Sequence, residues 1–174
     1  PASELNPAEK IMAAGFQSVT LRTAGYATID QGALTPAGQM VSIIYMFIGA
    51  SPASTGGGIK TTTLFIVLLS VLVMVRRKED YNVAQRRLNF QLVRRAQAIV
   101  FLALGLVLAD TVVICAVEGA TGGAETLADI LFEVVSAFGT VGLSTGITPE
   151  LNALSKLLIS LTMFIGRVGP LMVS

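Results

Sequence analysis

The sequence predicts an all-α integral membrane protein made of repeated units of short helix, loop and long helix, about one and a half of them present. Three observations predict it. Charged residues make up 13% of the chain and hydrophobic ones 53%, against roughly 25% charged in a soluble domain. Apolar segments of two lengths alternate, some near the roughly 20 residues that cross a bilayer and others well short of it. Finally, the chain aligns with itself at one offset. Thr23 falls on Thr140, Gly25 on Gly142 and Thr28 on Thr145, and Met46-Phe47-Ile48-Gly49 falls on Met163-Phe164-Ile165-Gly166 without a gap. Four consecutive identities at the offset that also aligns the Thr-x-Gly pairs point to a duplicated unit.

Composition excludes several functions. The chain has no His, which removes imidazole acid–base chemistry and His-ligated metals. Cys115 is the single cysteine, so no intrachain disulfide forms. Residues 1–10 are polar and lack a signal-peptide layout. The net charge is +1, but of 12 Lys and Arg, seven fall in 76–95: Arg76, Arg77, Lys78, Arg86, Arg87, Arg94 and Arg95. A basic stretch between apolar segments lies on the cytoplasmic side of a membrane. It does not need a nucleic-acid partner to explain it.

Residues 1–76 read as one unit without its first helix. Residues 9–21 form a short helix, too short to span, ending at Thr23-Ala24-Gly25-Tyr26. A re-entrant pore loop fits this pattern, and a surface amphipathic helix is the plainer alternative. Thr35-Pro36 starts the next helix, Thr35 as cap and Pro36 in the first turn. The apolar stretch 37–75 is too long for one straight span and breaks at Ser51–Lys60. Irregular backbone inside a bilayer is tolerated where it is buried in protein or lines a water-filled cavity, so this Gly-rich break should face a pore. Residues 77–95 are the basic linker. The second unit, 96–174, has an outer helix over 96–117, a short helix over 125–138, the loop Thr140-Val141-Gly142-Leu143 and a long helix over 151–174, interrupted at Gly166-Arg167-Val168-Gly169-Pro170. Since the first unit has no outer helix, the chain is expected to start in mid-repeat.

Backbone carbonyls of a Thr-x-Gly segment at membrane depth can replace the water around a potassium ion. Gly25 and Gly142 would supply the positive φ that turns carbonyls toward it, and the short helices would aim their negative ends at the cation. Both glycines could instead simply cap helices. Gly56-Gly57-Gly58-Ile59-Lys60-Thr61 imitates a phosphate-binding loop, but Ile59 separates Gly from Lys and no strand precedes it. A membrane-embedded phosphate-binding enzyme is therefore the remote alternative. Arg167 is a costly charge in an apolar stretch, at the position equivalent to Ala50. It should contact either the Ser51–Thr62 break or the carboxylates of Asp110 or Glu133.

These residues resemble a family. Phe16-Gln17-Ser18-Val19-Thr20 before Thr23-Ala24-Gly25-Tyr26, then Gly49-Ala50-Ser51-Pro52 and Ser54-Thr55-Gly56-Gly57-Gly58-Ile59-Lys60-Thr61-Thr62, look like the Trk/Ktr/HKT potassium-uptake superfamily. Phe132–Ser144 and Gly166-Arg167-Val168-Gly169-Pro170 point the same way, and the membrane subunit of the Ktr type is the nearest match. The resemblance implies four potassium-channel-like pore repeats per subunit, of which this chain would hold the third from its pore helix onward and the fourth. It implies a selectivity filter at Thr23, Ala24, Gly25 and Tyr26 and at Thr140, Val141, Gly142 and Leu143, holding potassium by backbone carbonyls. It further implies an intramembrane gate with Ser54, Thr55, Gly56, Gly57, Gly58, Lys60 and Arg167. The expected setting is a multi-pass plasma-membrane protein in a lipid bilayer, a homodimer with a cytoplasmic nucleotide-binding regulatory subunit. No cofactor, catalytic residue or nucleic-acid partner is implied. A sodium-permeant or sodium-coupled relative of the same superfamily is the alternative function.

Overall fold

The computed structural model describes residues 6–52, 56–76, 82–83, 86–87, 89–122 and 125–172. Helix α1, Pro7–Thr20, starts with Pro7 in the first turn, and Glu9 accepts the Asn6 backbone N–H at 2.8 Å. Helix α2, Pro36–Phe47, starts as its sequence predicts: the Thr35 hydroxyl accepts from the Gly38 N–H at 3.2 Å. Helix α3 runs Thr61–Val75. Between α2 and α3 the chain doubles back. Ile48 and Ile59 form a parallel bridge, and the Ile59 N–H donates to the Phe47 carbonyl at 3.3 Å.

The basic linker contains a feature that its sequence does not signal. Strands β1, Asn82–Val83, and β2, Arg86–Arg87, pair as a small antiparallel hairpin. Helix α4, Phe90–Thr121, then begins inside the expected linker, because the Asn89 side chain caps it by accepting from Gln91 N–H at 3.0 Å. At about 1.5 Å per residue, α4 exceeds the roughly 30 Å hydrocarbon core, so its Arg94 and Arg95 turn can stand in water. Among the described residues it is the one helix long and apolar enough to cross a membrane alone. Helices α5, Leu127–Gly139, and α6, Ala153–Met172, complete the chain.

Helix α6 differs from expectation: it runs unbroken through Gly166–Pro170. A proline inside a helix removes one N–H donor and crowds one carbonyl, which bends a helix more readily than it ends one.

Helix α5 is the centre of the fold. It packs against α2, α4 and α6, while α3 and α6 pack on α4. Its residues from Phe132 to Gly139 are all buried. Met46 of α2, Ile114 of α4 and Phe132 of α5 lie in one apolar core. Glycines allow the closest approaches. A Cβ on Gly139 would lie 2.7 Å from the Met46 carbonyl oxygen, and one on Gly166 would overlap the Phe138 carbonyl. Polar ties join the long helices. Thr162 donates to the Asp110 carboxylate, and Glu118 at the end of α4 accepts from the Asn152 N–H at 2.9 Å and the Ser155 hydroxyl at 2.6 Å. Outward-facing Phe101, Leu102 and Val112 of α4 remain exposed, as residues that meet lipid would be.

Candidate functional site

The two Thr-x-Gly loops adopt one backbone conformation. Thr23 and Thr140 are the only non-glycine residues with positive φ among the described residues, at 65° and 51°. Gly25 and Gly142 follow at 74° and 88°, while Ala24 and Val141 between them keep negative φ. Alternating the hand of successive residues turns consecutive peptide planes to the same side. A threonine in the left-handed region costs on the order of 1–2 kcal/mol. Finding that strain twice, at aligned positions, marks a backbone shaped for a purpose.

The loops lie side by side. A Cβ on Gly25 would overlap the Val141 carbonyl oxygen. Each loop is held from the short helix before it. The Thr20 hydroxyl donates to the Tyr26 carbonyl at 2.7 Å, and the Ser136 hydroxyl donates to the Leu143 carbonyl at 2.6 Å. Beyond the loops, Gln17 donates to Gln31 at 2.6 Å in the first unit. In the second, Glu133 accepts from Ser144 at 2.5 Å, the Thr145 N–H at 2.9 Å and Thr148 at 2.9 Å.

The glycine break sits against both loops. The Gly57 N–H donates to the Thr140 hydroxyl at 3.0 Å, and a Cβ on Gly56 would meet the Thr23 hydroxyl at 2.6 Å. Gly57 and Gly58 are buried, and the Lys60 ammonium donates to the Gly56 carbonyl at 2.8 Å. Gly49, aligned with Gly166, is pressed against the Gly57 carbonyl. Ser54 and Thr55 lie outside the described residues. Arg167 stands apart: it is exposed, and among the described residues it makes no hydrogen bond or ion pair. Its neighbour Gly166 takes the position against α5, which turns the guanidinium to another face of α6. Among the described residues Arg167 makes neither the contact expected with the Ser51–Thr62 break nor the alternative one with Asp110 or Glu133, whose carboxylates bond to Thr162 and to Ser144–Thr148.

The structure thus brings Thr23–Tyr26, Thr140–Leu143 and Gly56–Lys60 into one cluster and leaves Arg167 outside it. Sequence reasoning named Glu133 only as an alternative partner for Arg167 and missed the parts played by Thr20 and Ser136. Their signal was a hydroxyl one turn before each Thr-x-Gly. Outside the helices, half-burial and the neighbouring Glu150 hold the Glu125 carboxyl above its usual range.

A helical frame with a span of membrane length, carrying two loops of one shape, defines a class of helical membrane proteins. The chain belongs to the TrkH family of cation transport proteins, which its residues 2–174 match. It is 38% identical over 96% of its length to the Ktr system potassium uptake protein B of Bacillus subtilis, covering 36% of that protein. It is 41% identical over 92% of its length to the potassium/sodium uptake protein NtpJ of Enterococcus hirae, again covering 36%. The chain therefore spans about a third of the length of these curated relatives. The crystal structure of the potassium transporter TrkH from Vibrio parahaemolyticus shares the fold, with TM-score 0.78 at 18% identity, over 97% of this chain and 37% of that one.

Proposed function

We propose that this chain forms part of a protein that takes up potassium across the plasma membrane, through a selectivity filter lined by carbonyls of Thr23–Tyr26 and Thr140–Leu143. The observation that carries this reading is the repeated left-handed Thr and Gly in two abutting loops. A ring of carbonyls uses four such loops. The other two come from further repeats of the same protein, with this chain holding the third repeat from its pore helix onward and the fourth. Conduction follows the ion gradient and membrane potential and makes or breaks no covalent bond. The protein crosses the membrane several times, residues 76–95 face the cytoplasm, and the loops face outward, as the placement of Lys and Arg requires. A homodimer served by a cytoplasmic nucleotide-binding regulatory subunit is part of this reading.

The glycine break acts as the gate, with Ser54, Thr55, Gly56, Gly57, Gly58 and Lys60. It touches the first residue of both loops, so its withdrawal would clear the path below them. Arg167 lies outside this cluster, so its part in the gate would be electrostatic, as a cation at the depth of Ala50, and not by contact. A potassium/sodium specificity is the second reading, favoured by the name of the Enterococcus relative.

The test uses the full-length protein with Gly25→Ser or Gly142→Ser and measures uptake with potassium and sodium in competition. Weakened discrimination against sodium is expected from both, because a side chain at these φ values strains the loop. Unchanged preference in both would return the glycines to helix caps. Deleting Gly56–Gly58 is expected to raise flux per inserted molecule, and normal flux would remove the gate.

A further inference from the structure

We propose that Glu133 is a positioning residue for ion selectivity, holding the segment Ser144–Thr148 that leaves the second loop. This rests on reading Thr140–Leu143 as a filter. Glu133 is 6% exposed and projects from the middle of α5. One carboxylate oxygen accepts from the Ser144 hydroxyl and the Thr145 N–H, and the other accepts from the Thr148 hydroxyl. One turn further along the same helix face, Ser136 holds the Leu143 carbonyl. Four of the six residues from Leu143 to Thr148 therefore hang on two side chains of one buried helix.

Hydrogen bonds to a carboxylate are roughly twice as strong as neutral ones. The brace fixes the outer end of the loop, and discrimination by a carbonyl ring depends on which oxygens reach the ion and how many. Glu133 bonds to none of the loop residues Thr140–Leu143, so it acts through Ser144–Thr148. The first unit is built differently. Phe16 stands at the aligned position, 42% exposed, and the neutral Gln17–Gln31 pair makes the equivalent span. Among the described residues, only the second loop carries a charged brace.

The distinction between Glu and Gln tests this. A glutamine keeps the volume but presents an NH2 group, a donor, to side chains that already donate. In the full-length protein, Glu133→Gln, Thr148→Val and Gly142→Ser are compared by potassium uptake with sodium in competition, normalised to inserted protein. Glu133→Gln is expected to lower potassium-over-sodium discrimination roughly tenfold, chiefly as a higher KM for potassium with kcat little changed. Thr148→Val, which removes the sole donor to one oxygen, is expected to shift discrimination in the same direction by less. Glu133→Asp should recover part of it.

A lower yield of inserted protein with unchanged discrimination per molecule would overturn the proposal. If Glu133→Gln fails to insert, Thr148→Val and Ser144→Ala decide the matter, and unchanged discrimination in both overturns it. The Gly142→Ser arm separates the two readings. If Gly142→Ser weakens discrimination and the brace variants do not, only the brace is wrong. If none of them does, the filter reading falls with it.

Discussion

Thr20 lies three residues before Thr23, whereas Ser136 lies four before Thr140, yet each hydroxyl reaches the carbonyl of the last residue of its loop. The backbone shows the same slip. The Ala24 N–H bonds back to the Thr20 carbonyl, and the aligned Val141 N–H bonds back to that of Ser136. The second unit therefore fits one more residue between its brace and its loop. The surroundings differ more. Helix α5 is enclosed by α2, α4 and α6, whereas α1 leaves Ile11, Met12 and Val19 exposed. In both units a hydroxyl of the preceding short helix holds the carbonyl of the loop's last residue. The comparison teaches that one local hydrogen-bond pattern accompanies the left-handed Thr and Gly in both, despite the one-residue slip.

The largest expected effect breaks the equivalence of the two loops. Gly25 abuts the Val141 carbonyl, whereas a Cβ on Gly142 would meet nothing within 4 Å. Both substitutions carry the strain of positive φ, but only Gly25→Ala also pushes the loops apart. Potassium uptake by the full-length protein is expected to fall at least about fivefold more for Gly25→Ala than for Gly142→Ala, given roughly 1–3 kcal/mol for overpacking. Equal losses would show that the loops do not touch in the working protein.

A smaller effect sharpens the contrast between open and packed settings. Ordinarily, Gly→Ala inside a helix stabilises by about 1 kcal/mol. Gly15 in α1 has open space around it, so Gly15→Ala should raise the melting temperature of the purified protein. Gly166→Ala drives a methyl into the Phe138 carbonyl and should lower it, with a net cost of roughly 1–3 kcal/mol. A rise for both would mean that α5 and α6 are not in close contact.

The smallest effect concerns Glu125, in the connection before α5. Half-burial and Glu150 raise its pKa, so it binds its proton more readily folded than unfolded. Its contribution to stability is present below the ordinary carboxylate range and is lost as pH rises through the raised value. Glu150→Gln should shrink that loss, read as a flatter melting temperature across mildly acidic pH. The effect is small because solvent screens a partly exposed pair. An unchanged pH profile would show that the two carboxylates do not interact.

Much of this arrangement was legible because it follows local rules. Thr35-Pro36 announced α2, the triple glycine announced the break, and the repeated Thr-x-Gly announced both loops. Other features rest on contacts between residues distant in the chain, which no local pattern records. The meeting of Gly25 with Val141 and of Gly57 with Thr140 is of this kind. The one-residue slip between Thr20 and Ser136 was hidden by the very alignment that revealed the repeat. The segment Gly166–Pro170 misled, because a proline inside a helix can bend it without ending it, and α6 continues to Met172.

The bridge between Ile48 and Ile59 has a mechanical consequence. It ties the residue that follows α2 to one just before α3, so the two ends of the glycine-rich connection stay together. A connection whose ends are tied can rearrange without carrying α2 or α3 with it. The entropy of bringing its ends together has already been spent, and what remains is the cost of rearranging a short, glycine-rich arc. A motion confined in this way resembles the flexing of a washer more than the swing of a lever. Its natural timescale is that of small loops, microseconds or faster, rather than that of helices sliding past one another.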